Sequence, residues 1–407
     1  MPVFSDIDVL SKVLIHEPDL GIEYITPEIA EQLLYDDIVF LPRIIEEHFE
    51  FTQCLRQLIG KDNVLEFQDL LEDVLKNEIT RNNLLEDVSF YHKLNLSKIE
   101  KLRLLNDKHL SETLVSGLLP ETLEVVLPPL PNLVFTRDLC CIVEGYLILC
   151  KAQKAARQRE NILFKYIVNN HPEFSAFKNK IIDFTTPAFF QNGAISIEGG
   201  DIMPIGNRHL LIGKSERTTL AALEILKAYL FENNVIDKLT VVELPEARYC
   251  MHLDTVFTFI DKERCVGFAP LVFEENDQIG VISYSKDKSN PRFFPTLKAL
   301  LIEEYPNITL VPCGSGLYPF DEREQWTDGC NFVAIKPGVA IAYERNTYTI
   351  KALKEIGFSS ISAKRLSNFD AKLLLERTEK TIITIPSSEL SRARGGPHCM
   401  TMPISRL

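Results

Sequence analysis

The sequence predicts a mixed α/β protein whose β-hairpins form a closed ring of five units, on three observations. Four stretches share one plan: an aspartate, an apolar run, a tight turn and a second apolar run. Helix-like segments at 151–170 and 217–233 lie between them. Short apolar runs near the two chain ends, at 12–16 and 400–404, have the length of strands and would pair to make the fifth unit. The units recur at roughly fifty to seventy residues, longer and less regular than solenoid repeats, which suits a ring better than a stack. Asp-led hairpins are also ordinary parts of an open α+β fold, and the repeats alone fit both.

In chain order, the run at 12–16 reads as a strand. Thr26-Pro27-Glu28 then offers a cap, a proline for the first helical position and an early acid, so a helix should follow. Residues 42–60 form a helix on the spacing of Ile45, Phe49, Leu55 and Ile59, stopped by Gly60. Residues 64–67 read as a strand. From about 69 to 117 the chain is Leu-rich, charged and nearly free of glycine and proline, which predicts several short packed helices. The hairpins begin after Pro128-Pro129-Leu130-Pro131. Asp138 leads the first, turning at Glu144-Gly145; Asp201 leads the second, turning at Gly206-Asn207-Arg208; Asp254 leads the third, turning at Asp261-Lys262-Glu263; Asp328 leads the fourth, turning at Pro337-Gly338.

Hydrophobic residues at 45% and charged residues at 25% of 407 place the chain among ordinary globular proteins. A net charge of -13 argues against a nucleic-acid partner, because that affinity needs Lys and Arg set against phosphates. No apolar run is long enough to cross a membrane, and Met1-Pro2-Val3-Phe4-Ser5-Asp6 lacks the basic-then-apolar pattern of an export signal, so a cytoplasmic protein with no membrane partner is expected. Nine cysteines, odd in number and without metal-ligand spacing, suggest neither a disulfide framework nor a metal site. Most read as buried apolar fillers.

Four polar stretches beside the hairpins carry the candidate chemistry. Asn132 to Asp138 joins a proline-rich entry to a hairpin, where Asn and Asp also serve as turn residues. Glu198-Gly199-Gly200-Asp201 sets two acids around a bend open to close backbone approach, or is an ordinary loop. His252 and Asp254, two apart at a strand start, would project to one face. Arg392 to Met400 surrounds Cys399 with glycines and basic residues that favour a thiolate, or it is a glycine turn with a buried thiol. In a ring, the leading ends of the hairpins converge and bring Asp138, Glu198, His252, Asp254 and Cys399 together. A thiol, an imidazole and several carboxylates suit a planar cation with an electrophilic carbon, such as a guanidinium, which carboxylates hold by paired hydrogen bonds. Arg157, Arg217 and Arg394 would meet a substrate carboxylate, or are external charges.

Seven motifs occur in order along the chain: Leu33-Leu34-Tyr35-Asp36-Asp37; Asn132 with Phe135-Thr136-Arg137-Asp138; Glu198-Gly199-Gly200-Asp201 with Ser215-Glu216-Arg217-Thr218-Thr219; Met251-His252-Leu253-Asp254-Thr255-Val256-Phe257; Arg323-Glu324-Gln325-Trp326; Tyr343-Glu344-Arg345-Asn346; and Arg394-Gly395-Gly396-Pro397-His398-Cys399-Met400. With these the chain resembles the arginine deiminase family. The resemblance implies a five-bladed α/β propeller of the guanidino-group-modifying superfamily, one catalytic domain over 1–407 with a helical insertion at about 69–128. It implies hydrolysis of L-arginine to L-citrulline and ammonia through a cysteine-linked thiouronium, with no cofactor or metal, by a homo-oligomer. The roles implied are nucleophile for Cys399, general acid and base for His252, guanidinium clamps for Asp138 and Asp254, and support of the histidine and the substrate for Glu198. Asn132, Arg157 and Arg217 stand where the family binds the amino-acid end, Leu34 and Phe135 belong to the substrate-binding set, and Arg394 lies on a loop that changes with occupancy. One departure is Leu139, where the family usually has proline, which predicts a less rigid Asp138 loop and altered affinity. Rival readings are a related guanidine enzyme, either an amidinotransferase or a hydrolase of methylated arginine, a non-catalytic arginine sensor, and a cysteine peptidase, which the surplus carboxylates suit poorly.

Overall fold

The computed structural model describes residues 3–186 and 195–407. The chain enters on β1 (Leu10–Ile15), crosses a turn-rich stretch to α1 (Leu41–Ile59) and returns as β2 (Val64–Glu66), parallel to β1. Four helices follow: α2 (Phe67–Leu75), α3 (Glu78–His92), α4 (Leu96–Leu104) and α5 (Asp107–Ser116). Asn77, Asn95 and Asn106 each accept a backbone N–H from the first turn of the helix they precede. These caps divide a stretch without proline or internal glycine into separate helices.

From there the chain repeats one pattern, an antiparallel hairpin, a helix, then a strand parallel to the hairpin's second arm. The first unit is β3 (Cys140–Val143), β4 (Tyr146–Leu149), α6 (Gln158–Asn170) and β5 (Ile181–Asp183). The second is β6 (Ile202–Pro204), β7 (His209–Lys214), α7 (Leu220–Glu232) and β8 (Lys238–Glu243). The third opens with β9 (Phe257–Asp261) and β10 (Arg264–Gly267). Before it closes, the chain forms the short α8 (Ala269–Val272) and lends β11 (Gly280–Ser285) and β12 (Arg292–Phe294) to the second sheet. It then passes through α9 (Leu297–Glu304) to β13 (Thr309–Pro312), parallel to β10. After α10 (Phe320–Trp326) the fourth unit comprises β14 (Val333–Lys336), β15 (Val339–Tyr343), α11 (Thr347–Glu355), β16 (Ser359–Ser362), α12 (Asn368–Glu376) and β17 (Thr381–Ile385). The last strand, β18 (Met402–Arg406), lies antiparallel to β1, with Val13 opposite Pro403 and Leu14 opposite Met402. Among the described residues there are five separate sheets, one of which joins the two chain ends. Strands such as β7 and β15 are buried on both faces, as expected where helices cover parallel pairs.

Three local expectations fail for physical reasons. The helix after Thr26 does not form: hydrogen bonds from Ala30 N–H to Thr26 and from Leu33 N–H to Ile29 give barely one turn, and Leu34 then takes a left-handed backbone, φ 65°. Tertiary bonds decide this stretch, because the Leu33 carbonyl accepts from Asn132 and the Leu34 carbonyl from Arg248. In α1 the register of the apolar face is different: Ile45 and Phe49 are exposed, whereas Leu41, Ile44, His48, Phe51, Leu55 and Leu58 are buried. The helical signal at 151–170 begins only at Gln158, since Lys151 bridges to Ile197 and Ala152 N–H is held by Asn161. Among the described residues, no helix is long and apolar enough to cross a membrane.

Glu47, on the buried side of α1, ties that helix to the segment leading toward the C-terminal strand. Its carboxylate accepts the backbone N–H groups of Ser388, Glu389 and Leu390 at 2.9 to 3.0 Å, and the Ser388 hydroxyl. Glu47→Gln should therefore lower stability by about 2–4 kcal/mol, the cost of leaving buried donors and a charge badly matched. Urea unfolding checks this, and a loss under half a kilocalorie would refute it.

Candidate active site

All five sheets contribute to one site, each from the segment that leads into its hairpin. Asp138 sits on a 3-10 turn, Thr136–Leu139, just before β3. Glu198 precedes a turn at Gly199–Asp201 that enters β6. His252 and Asp254 flank the start of a turn at Leu253–Thr255, so β9 begins later than the sequence suggested and the two side chains are not placed by strand alternation. Asn331 stands two residues before β14, and Cys399 three before β18. The irregular turns have a cause. Backbone N–H groups there satisfy carboxylates: Gly200 donates to Asp138 at 3.2 Å and Leu253 to Asp201 at 2.9 Å.

Asp138, Phe135, Asn132, Arg157, Arg217, Leu34, His252, Arg394 and Cys399 line one cavity of about 30 Å³, far smaller than the usual ligand pocket. Glu198 lies behind it, fully buried, with Oε2 2.8 Å from His252 Nε2. The other ring nitrogen of His252 is 3.6 Å from Asp138. Asp254, also fully buried, has Oδ2 3.4 Å from the Cys399 sulfur and 2.8 Å from His398 Nδ1, while its Oδ1 has no hydrogen-bond partner among the described residues. Gly200 allows the close packing, since a Cβ there would stand 2.8 Å from the His252 ring and 3.1 Å from Asp138.

The charges are strongly coupled. Burial alone would depress the His252 imidazolium, but Asp138, Glu198 and Asp201 outweigh it and push its pKa up to about 10. Burial raises Glu198, yet His252, Arg217 and Arg157 hold it below the ordinary carboxylate range. Asp254 is likewise held low against its burial by His398, His252 and Arg137. Cys399 goes the other way: burial, then the carboxylates of Asp254, Asp138 and Asp328, keep it a thiol well above its ordinary range. The basic residues adjacent in sequence do not produce a resting thiolate. A cation placed between the thiol and the carboxylates would cancel that repulsion and favour the thiolate.

Arg157 lines the cavity and is engaged there by protein groups. Its guanidinium pairs with Asp138 and Glu160, lies 4.0 Å from Glu198, and donates to the carbonyls of Asn132 and Phe135. Asp138 thus already holds a guanidinium, the protein's own. Arg217 is near Glu198 at 3.9 Å, and its buried Nε has no hydrogen-bond partner among the described residues. Asn132 spends its amide on the Leu33 carbonyl. Arg394 lies over the Trp326 ring, 3.5 Å from its centre, and donates to the Trp326 and Arg248 carbonyls. Asp138, Glu198 and His252 also present ligand atoms within 4.8 Å of one another, a spacing that suits a cation.

Leu139 follows Asp138 directly at the entry to β3. It is buried in the core, and the loop is pinned by Thr136 to the Leu14 and Met400 carbonyls and by Arg137 N–H to the Cys399 carbonyl. Sequence reasoning gave no role to His398, Asn331, Asp6 or Arg248. His398 lies between Asp254 and Asp6 at 2.8 and 3.2 Å, and Asp6 pairs with Arg137 at 3.4 Å. Asn331 was findable, because it follows the aspartate that leads the fourth hairpin; Asp6 and Arg248 carried no local signal.

A buried thiol, an imidazolium and converging carboxylates on a mixed α/β frame define a class of thiol enzymes for cationic substrates. The arginine deiminase family model matches residues 31–406. An arginine deiminase of Mycoplasma capricolum is 31% identical over 99% of this chain and 96% of its own, and one from Bacillus cereus is 31% identical over 99% and 98%. The chain belongs to the arginine deiminase family. Two solved structures share the fold at lower identity. One is the N-terminal domain of a cyanobacterial arginine dihydrolase of the ornithine-ammonia cycle, bound to product, at TM-score 0.52 and 15% identity over 98% of each chain. The other is a mutant dimethylarginine dimethylaminohydrolase from Pseudomonas aeruginosa complexed with citrulline, at TM-score 0.51 and 14% identity over 97% and 99%.

The state of the thiol is directly testable. Without substrate, iodoacetamide should alkylate Cys399 at a rate that climbs about tenfold per pH unit from about pH 7 to 9, because only the thiolate reacts. Peptide mass spectrometry follows the site, and a plateau below about pH 8 would show a resting thiolate instead.

Proposed function

We propose that the protein hydrolyses L-arginine to L-citrulline and ammonia, and that Cys399 carries the intermediate. The observation that carries this reading is the pair of carboxylates beside the sulfur: Asp138 already binding a guanidinium, and Asp254 with one oxygen unpartnered. The substrate's guanidinium takes the place of Arg157 on Asp138 and pairs with Asp254, which sets its central carbon against the sulfur. As this cation enters, its charge offsets the carboxylates that hold the thiol protonated, the thiol proton leaves to solvent in exchange, and the thiolate attacks the carbon. His252 gives its proton to the departing nitrogen, which leaves as ammonia, and the neutral imidazole then takes a proton from water attacking the thiouronium. Collapse expels the Cys399 thiolate and leaves the ureido group of citrulline. Glu198 holds His252 in place through Nε2. Arg217, whose Nε is paired at 3.8 Å with Glu216 but hydrogen-bonded to none of the described residues, meets the substrate carboxylate, Leu34, Asn132 and Phe135 enclose the chain, and Arg394 moves with occupancy.

The five sheets are in this reading the blades of one five-bladed propeller, a single domain over 1–407 with α2 to α5 as its insertion. The repeated hairpin, helix and parallel strand, and the joining of β1 with β18, support it. The protein is further proposed to work in the cytoplasm as a homo-oligomer.

Purified protein given arginine should release citrulline and ammonia in equal amounts, and Cys399→Ala should release neither. Arginine bound without turnover by the unsubstituted protein would support a sensor instead. Arg217→Ala should lower kcat/KM for arginine by about 10²–10³, roughly the loss of a charge-assisted pair, yet change turnover of the decarboxylated analogue little. Equal losses on both substrates would remove Arg217 from the carboxylate end.

A further inference from the structure

Asn331 is the fourth unit's contribution to the site, and its amide is fully used. Its Oδ1 accepts the backbone N–H of Cys399 at 3.0 Å. Its Nδ2 lies 2.9 Å from the Asp254 carbonyl and 3.1 Å from the Cys399 sulfur, and donates to both. The side chain is completely buried. Gly396 makes room for it, since a Cβ at that position would meet Asn331 Oδ1 at 2.6 Å. The loop that contains the nucleophile is therefore shaped around this amide.

We propose that Asn331 holds the Cys399 sulfur as thiolate during the reaction, by donating an amide hydrogen to the sulfur while fixing the cysteine's backbone with its oxygen. The inference rests on the nucleophilic reading of Cys399 above. Its chemistry follows from what surrounds the sulfur. The carboxylates of Asp254, Asp138 and Asp328 act against the negative charge, Tyr343 is packed nearby with its hydroxyl committed to the Gly395 carbonyl, and Arg394 is the nearby cation. His398 is occupied by Asp254 and Asp6, and His252 by Glu198 and Asp138. A neutral donor facing the sulfur stabilises the thiolate without adding a charge that would repel a cationic substrate. The thiol donates its hydrogen toward Asp254 Oδ2, so deprotonation removes that bond and leaves the Asn331 bond in place.

The test compares the unsubstituted protein with Asn331→Ala and Asn331→Asp. Aspartate matches asparagine in shape and keeps an acceptor for the Cys399 N–H, but replaces the donor with a carboxylate. Iodoacetamide alkylation of Cys399, read by peptide mass spectrometry at several pH values between about 7 and 9, should be about tenfold slower in the alanine variant, the equivalent of one pKa unit. It should be slower still in the aspartate variant. With arginine as substrate, kcat should fall in both while KM stays within about twofold. Alkylation at or above the unsubstituted rate in either variant would overturn the proposal, as would an aspartate variant with unchanged kcat, which would mark Asn331 as a purely structural link. Alkylation needs no turnover, so the thiol measurement remains readable even if the protein releases no citrulline, an outcome that would sink the deiminase reading separately.

Discussion

The burial of many carboxylates around one small cavity is the constraint on which the rest of this structure depends. Asp6, Asp138, Glu160, Glu198, Asp201, Asp254 and Asp328 are all withdrawn from water. An ionised carboxylate in such a place must find cations or hydrogen-bond donors, and those here do so to different degrees. Arg157 serves Asp138 and Glu160, His252 serves Glu198, His398 joins Asp254 to Asp6, and Asp201 accepts from Ser215 and from backbone. Glu160, Asp201 and Asp328 lack enough such help, and burial pushes all three up to about 7. The segments entering β3, β6 and β9 are therefore 3-10 turns rather than extended strand, and the Gly200 and Leu253 N–H groups there meet neighbouring carboxylates.

The same constraint explains why the chain ends matter to the chemistry. Asp6, at the start of the chain, accepts from Arg137 of the first unit and contacts His398 beside Cys399. Arg406, at the other end, donates to the Asp8 and Ala334 carbonyls. The pairing of β1 with β18 is thus both a strand contact and part of the electrostatic support of Asp254. On the proposed reading, a thiol in this setting is quiet without a cation, and its activation is coupled to a guanidinium. Arg157 occupies part of the place that such a group would take.

The wall of the cavity is built differently from its floor. Leu34 and Arg394 face it from segments in left-handed backbone, φ 65° and 68°, a conformation that costs non-glycine residues about 1 kcal/mol or more and persists only where contacts impose it. Those contacts are mutual. Arg248 grips the Leu34 carbonyl and Asp36, and Arg394 in turn donates to the Arg248 carbonyl. The floor, with Glu198, Asp254 and Asn331, carries its groups on short turns that lead directly into buried strands.

Much of this was legible in order along the chain. The four Asp-led hairpins and the helical stretch after residue 69 follow from local patterns of apolar runs and turns; the same patterns made Cys399, His252, Glu198, Asp138 and Asp254 candidates, and the family resemblance supplied their roles. What local pattern did not reveal was which partner each group would meet. The stretch after Thr26 has a helix start but is decided by Asn132 and Arg248, the buried face of α1 by the strands beneath it, and the position of Arg157 by Asp138 and Glu160 rather than by a ligand. Asn331, Asp6 and His398 acquire their places only when segments distant in sequence meet. Sequence by itself determined the hairpin plan and the reactive residue types, because periodicity and turn chemistry are local. Only the tertiary structure decided the protonation of the thiol and the pairing of the arginines, because a buried charge answers to whatever lies within a few ångströms in space.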